Sequence, residues 1–357
     1  MIFKKQLDWL KSSSLTLSAV AALGAMALAS PASARDLTIV SYGGGYQDAL
    51  RTVFFTPFSQ QAKIPVKDVP YDGGIGILRA KAQGGANDWD LVDVETGDLL
   101  IGCEEGLFEK LDWSRIGNQN EFIPGVVTEC GMGMVISGMI LAYDGDKIAN
   151  GPKSWADFFD LKAFPGKRAM RNGPVYNLEA ALMGDGVPPD QVYKVLSTPE
   201  GVDRAFKKLD TIKKSMIWWQ TGAQPAQLLA SGEAAMVVVF NGRIYNANKN
   251  DHKNFKISWN QEILSFDHWV IMKGSPNLDA AYKFLSFYAR PEVEKNFPNY
   301  IPNGQPNKAT SNLIAKDMAP NMPTNPDYLP HALQFDARFW LDNTDKLTDR
   351  FNKWVAQ

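Results

Sequence analysis

The sequence predicts an α/β protein. Short β-branched or apolar runs alternate with stretches of helical spacing along most of the chain, separated by Gly, Pro and Asn breaks. That alternation builds mostly parallel sheets flanked by helices. Residues 35–357 also number 323, which is large for one hydrophobic core and suits two lobes.

The first strand reads Leu37-Thr38-Ile39-Val40-Ser41-Tyr42 and is broken by Gly43-Gly44-Gly45. A helix over Tyr46 to Gln60 follows from the four-residue spacing of Leu50, Phe54 and Phe58. A second strand begins at Ile64-Pro65-Val66, a helix opens at Gly73-Gly74, and a third strand runs from Trp89 to Val94 into Glu95-Thr96. The glycine-dotted apolar run Gly131 to Tyr143 predicts a buried strand leading to a crossover. Pro152 to Trp155 has the look of a helix start. Gly166 to Met170 predicts a strand, with Arg171-Asn172-Gly173-Pro174 as its loop. Helices are expected near Leu178–Met183 and over Pro199–Lys214. Ile217 to Trp219 predicts a strand, Gln220 to Gln224 its loop, and Pro225 to Ala230 a helix. Ala234 to Phe240 predicts an apolar strand ending at Asn241-Gly242-Arg243. A Pro/Asn-rich loop over Pro320–Pro330 precedes a last helix from Asp345 to Val355.

Residues 1–34 carry a different signal. Lys4, Lys5 and Lys11 precede an apolar run from Leu15 to Ala29, and Ala32-Ser33-Ala34 offers an A-x-A cleavage site. That order predicts a cleavable signal peptide over residues 1–34 and a periplasmic mature protein. The run falls short of the roughly 20 residues of a permanent anchor; a retained anchor is the alternative. Losing three Lys and Asp8 takes the net charge from -2 to -4. This balance offers no footprint for nucleic acid or an anionic membrane. An even pair of cysteines in an oxidising compartment predicts a Cys103–Cys130 disulfide.

Catalytic signatures are missing. No G-x-S-x-G, H-E-x-x-H or P-loop pattern occurs. His268 follows Asp267 directly, so on a strand the two face opposite sides and make a poor base–orienter pair. No cofactor or metal is expected. Ligands of open α/β sheets bind beyond the carboxyl ends of strands. The candidates are therefore Tyr42, Glu95-Thr96, Arg171-Asn172, Thr221–Gln224, Asn241–Arg243 and Ser265–Trp269.

Several segments, in order and spacing, resemble the type II periplasmic solute-binding proteins of ABC importers, nearest the spermidine/putrescine-binding branch. They are Trp89-Asp90-Leu91-Val92 with Glu105-Gly106-Leu107 and Leu111-Asp112, then Pro152 to Asp157, Gly232 to Met236, Phe240-Asn241-Gly242, and Ala281 to Glu292. The resemblance implies two α/β lobes, 35–143 plus 267–303 and 144–266 plus 304–357. They would be joined by hinge crossings near Tyr143, Glu262 and Asn303 and close on a small solute. It implies a non-enzymatic monomer that delivers its solute to an inner-membrane permease.

Residue by residue, the resemblance puts a stacking aromatic at Tyr42 and polar contacts at Glu95 and Thr96. It puts an aromatic wall at Phe240 and an ammonium-gripping acid at Asp267. Where polyamine binders of the family carry an acidic pair after the strand ending at Met170, this chain has Asn172-Gly173, with Arg171 just before, and it adds Arg243. A buried Arg repels a dication but forks onto a carboxylate. The expected ligand is therefore a zwitterion such as γ-aminobutyrate, its methylenes walled by Tyr42, Phe240, Trp269 or Tyr300. A polyamine held by Glu95 and Asp267 is the alternative; a secreted hydrolase is the alternative outside the class.

Overall fold

The computed structural model describes residues 35–84, 88–123 and 125–357; the expected signal peptide lies outside them. Among these residues the chain lays down nine strands. They are β1 (Leu37–Tyr42), β2 (Val66–Tyr71), β3 (Leu91–Glu95), β4 (Gly131–Asp144), β5 (Arg168–Arg171), β6 (Met216–Trp219), β7 (Met236–Phe240), β8 (Phe255–Ile271) and β9 (Leu333–Gln334). They form one sheet in the order β2-β1-β3-β8-β4-β7-β5-β6, with β9 beside β8.

The sheet is mixed. β1 pairs in parallel with β2 and β3, and β5 with β6 and β7. Between these two groups lies an antiparallel ladder of β4 and β8, the two longest strands. β4 is buried over its first twelve residues because it has neighbours on both edges and cover on both faces. Two register shifts interrupt the ladder, between Gly133 and Val135 and between Met139 and Leu141.

Helices pack both faces into separate cores. One gathers Trp155, Phe158, Leu182, Phe206 and Val238 around β5–β7. Another gathers Phe54, Phe55, Phe58, Phe284 and Tyr288 under β1 and β3, and a third collects Leu78, Val92 and Leu99 on the opposite face. The expected helix over Tyr46 to Gln60 is continuous but not uniform: Gly45–Leu50 and Thr56–Ala62 flank a wider turn at Arg51–Phe55.

Three expectations are corrected. Ser265–Trp269 is no strand-end loop but the middle of β8, which alternating burial did not reveal because both faces are covered. Asn241–Arg243 begins the helix Asn241–Asn250 rather than a loop. The last helix is Ala337–Val355, starting eight residues before Asp345. Asp336 caps it by accepting from the Phe339 amide at 3.0 Å, and Phe339 and Trp340 bury against the core.

Cys103 and Cys130 are bonded, with Cα atoms 5.8 Å apart. Replacing both by Ser is expected to lower stability by about 3.5 kcal/mol on the chain-entropy account, given the 27-residue separation. Chemical denaturation of the two proteins measures this; a difference under about 1 kcal/mol would contradict it.

Candidate functional site

One cavity of about 290 Å³ sits at the carboxyl ends of β1, β3, β5, β6 and β7. Such a volume suits a small solute. Six of the ten residues predicted from sequence line it: Tyr42, Glu95, Arg171, Phe240, Arg243 and Asp267.

Glu95 ends β3 and Arg171 ends β5. Nη1 of Arg171 donates to both carboxylate oxygens of Glu95, at 2.7 and 3.0 Å. The Tyr176 hydroxyl donates to the same carboxylate at 3.1 Å and lies 2.9 Å from the Ser265 hydroxyl. Burial opposes charge on Arg171, but the Glu95 carboxylate more than compensates and holds the guanidinium firmly protonated. Tyr176 holds this place at φ 67°, a conformation uncommon for a non-glycine residue. Asn177 braces the turn by donating to the carbonyls of Arg171 and Gly173, both at 2.6 Å.

Arg243, in the first turn of its helix, reaches the loop after β1. Its Nη1 donates to the Gly43 carbonyl at 3.0 Å, and the guanidinium lies over the Tyr46 ring. No carboxylate pairs with it among the described ion pairs. Burial accordingly pulls its pKa down. Its seat is made by glycines: a Cβ on Gly222 would stand 2.9 Å from Nη2, and one on Gly44, at φ 69°, 3.3 Å from Nη1.

Asp267 lies on β8 opposite Glu95 of β3. It is 6 % exposed and one carboxylate oxygen is buried without a hydrogen-bond partner. Burial pushes its pKa well above the usual carboxylate range; Asp93 and Glu95 push the same way and Arg171 opposes them. The walls are aromatic. Tyr42 stacks on Tyr71 at 5.2 Å, and Tyr176 meets Phe240 edge-on at 5.9 Å. The cavity thus presents one pre-paired cation and anion, one cation without a carboxylate and one buried carboxyl without a cation, enclosed by rings, and it is lined as well by the exposed Asp72. None of the three histidines lines it.

Four predicted residues stand elsewhere. Thr96 Oγ1 donates to the Phe266 carbonyl at 2.8 Å, tying a helix start to β8. Asn172 is exposed, and its amide donates to the Trp219 carbonyl at 2.8 Å. Trp269 faces the same side as Asp267 but two residues deeper, among Phe55, Phe284 and Tyr288. Tyr300 is 43 % exposed beside Lys249. Residues that carried no role in the sequence reading also line the cavity, among them Tyr46, Tyr71 and Ser137. Tyr71 was findable: it ends a strand in register with Tyr42.

The family model described as bacterial extracellular solute-binding protein matches residues 54–324. The chain belongs to that family. Within it, the chain is 42% identical over 333 residues to the gamma-aminobutyric acid-binding protein of Pseudomonas aeruginosa, covering 93% of this chain and 94% of that protein. Its identity to the spermidine/putrescine-binding periplasmic protein of Escherichia coli is 21% over 318 residues, 86% of this chain and 88% of the relative. Among solved structures of solute-binding proteins, MotA of A. tumefaciens B6 in complex with glucopine superposes with a TM-score of 0.85 at 32% identity, covering 90% of this chain and 99% of that one. The Atu4243 GABA receptor superposes at 0.79 and 33%, covering 90% and 98%. The fold is that of the type II periplasmic binding proteins.

Proposed function

We propose that this solute-binding protein is a periplasmic receptor for an ω-amino acid, with γ-aminobutyrate as its ligand, and that it passes the solute unchanged to an ABC permease. One observation carries the reading: Asp267 and Arg243 line a single small cavity, and neither has a counter-ion of its own. An ammonium placed at Asp267 and a carboxylate placed at Arg243 would complete both pairs, with the methylenes against Tyr42 and Phe240. A diamine would find one buried acid free, Asp267, because Arg171 already occupies Glu95 and the remaining acid of the lining, Asp72, is exposed. The relative of 42% identity is a γ-aminobutyrate binder by name, whereas the polyamine-binding relatives stand at 21–23%. We take the two lobes, 35–143 plus 267–303 and 144–266 plus 304–357, as the bodies that close on the solute. Export through the leader would put the monomer beside its permease.

The test is a calorimetric panel of γ-aminobutyrate, butyrate, butylamine, putrescine, spermidine and glucopine. γ-Aminobutyrate is expected to bind, the one-ended analogues to lose about a hundredfold or more, and putrescine to bind far more weakly. Putrescine binding at least as tightly as γ-aminobutyrate would replace this reading with a polyamine carrier. Mass spectrometry after overnight incubation should return the ligand intact; a hydrolysed product would establish an enzyme. Gly222→Ala, which crowds the Arg243 guanidinium without straining the backbone, is expected to weaken γ-aminobutyrate about tenfold at an unchanged melting temperature. Equal affinity would mean the guanidinium tolerates displacement.

A further inference from the structure

Asp93 has no role in the site as described, yet its surroundings are unusual. It is fully buried on β3, and both carboxyl oxygens lack a partner of hydrogen-bond geometry; the Tyr46 hydroxyl is the polar group facing it. Glu95, two residues on, stands directly across from Asp267, and Asp93 pairs with Trp269, two residues beyond Asp267. Asp93, Glu95 and Asp267 therefore share one face of an antiparallel pair, with Asp93 and Asp267 on a diagonal within reach of each other.

Counting charge around these three acids decides what they can do. Arg171 is bonded to Glu95. Arg243 donates to Gly43 and lies over Tyr46 rather than pairing with either aspartate. Two carboxyl groups, Asp93 and Asp267, remain in a nearly water-free place with no cation bonded to them. Like-charged carboxylates so placed retain a proton between them. Burial pushes Asp93 and Asp267 both above the usual range, and Asp267 is raised further by Asp93.

We propose that Asp93 is a positioning residue of the ammonium subsite: before the ligand arrives the Asp93–Asp267 pair holds a proton that keeps Asp267 neutral, and the ligand's ammonium displaces that proton to the buffer. This rests on the reading that Asp267 takes the ammonium. Afterwards Asp267 is an anion paired with the ligand's ammonium, and Asp93 is ionised as well, with the Tyr46 hydroxyl facing it. Proton and ligand thus compete for one carboxylate, so affinity rises with pH.

The other groups facing the pair do not supply this proton. Tyr42, Tyr46, Tyr71, Tyr176 and Tyr288 are all pushed well above 10, chiefly by burial, and stay neutral. Glu95 is ion-paired with Arg171. Arg243 borders Tyr46 and remains a cation. His268, on the opposite face of β8, is lowered to about 4 by burial and stays neutral. Asp98, which accepts from the Gly74 amide at 3.0 Å, is raised to about 6 by burial and by Glu95, so it needs its own control.

The experiment is isothermal calorimetry of the purified protein with γ-aminobutyrate, in buffers of different ionisation enthalpy between pH 6 and 8. Neither end of that ligand titrates there. The slope of observed enthalpy against buffer enthalpy counts protons. Wild type is expected to release close to one per ligand, with affinity rising as pH rises. Asp93→Asn, whose amide donates to an ionised Asp267, is expected to release less than about a third of a proton and to show a flattened pH profile. Asp98→Asn is expected to release as much as wild type. Wild-type binding with no proton release would overturn the inference alone, as would an Asp93→Asn protein that releases as much as wild type. Should Asp93→Asn not fold, the wild-type and Asp98→Asn counts still decide. Absence of binding by γ-aminobutyrate would overturn the proposed function and this inference together.

Discussion

Arg243→Ala is expected to lower affinity for γ-aminobutyrate by about two to three orders of magnitude, or about 3–4 kcal/mol. The size follows from the seat. The guanidinium is half-buried, is fixed by the Gly43 carbonyl and the Tyr46 ring, and has no protein carboxylate to leave behind. Truncation therefore removes the ligand's partner without orphaning a protein charge; the half-buried Gly43 carbonyl alone loses a donor, and the melting temperature should move little. Arg243→Lys should not restore binding, because an ammonium lacks the fork that matches a carboxylate and cannot also hold Gly43. Calorimetry on the folded variants decides; affinity within threefold of wild type would place the carboxylate elsewhere.

Asp267→Asn should abolish binding to a similar degree while making the unliganded protein more stable at neutral pH. A buried carboxyl whose pKa is raised on folding costs stability above its unfolded value. The native state then holds a proton that the unfolded chain has released, so stability falls as pH rises from about 4. Asparagine has no such proton to hold. The variant should melt higher than wild type at pH 7, and the gap should close as pH falls toward 4. A variant that melts lower at pH 7 and binds normally would show that Asp267 is a structural acid. The opposite signs on binding and stability are those expected of a residue kept for its ligand.

Much of the fold was legible because alternation and strand breaks are local. β1, β3, β5, β6 and β7 fall close to where sequence spacing put them, and so do the site residues at their ends. Non-local features were not legible. Trp269 has the right face but the wrong depth: it lies two residues further into the core than Asp267, beneath Phe55 and Phe284. β8 is covered on both sides through Ile263–Ile271, so no polar alternation marks its length. The partner of Arg171 is Glu95, 76 residues earlier; each looked like a ligand contact on its own, and only their meeting shows that they answer each other. Tyr46 sits on a helix, where a strand-end rule does not look.

The antiparallel ladder of β4 and β8 joins the two parallel groups of strands with paired backbone rather than with slack loops. Movement between those groups must bend or shear rungs of hydrogen bonds, so the connection behaves as a leaf spring with a preferred angle and a restoring force. The register shifts at Gly133–Val135 and Met139–Leu141 are its compliant points, because rungs are already interrupted there. Between them Gly138 lies so close to the Glu262 carboxyl that a Cβ would approach Oε2 to 2.4 Å. A side chain at position 138 would have to displace the buried Glu262 carboxyl and crowd Pro323, loading one face of the spring without touching any residue of the cavity.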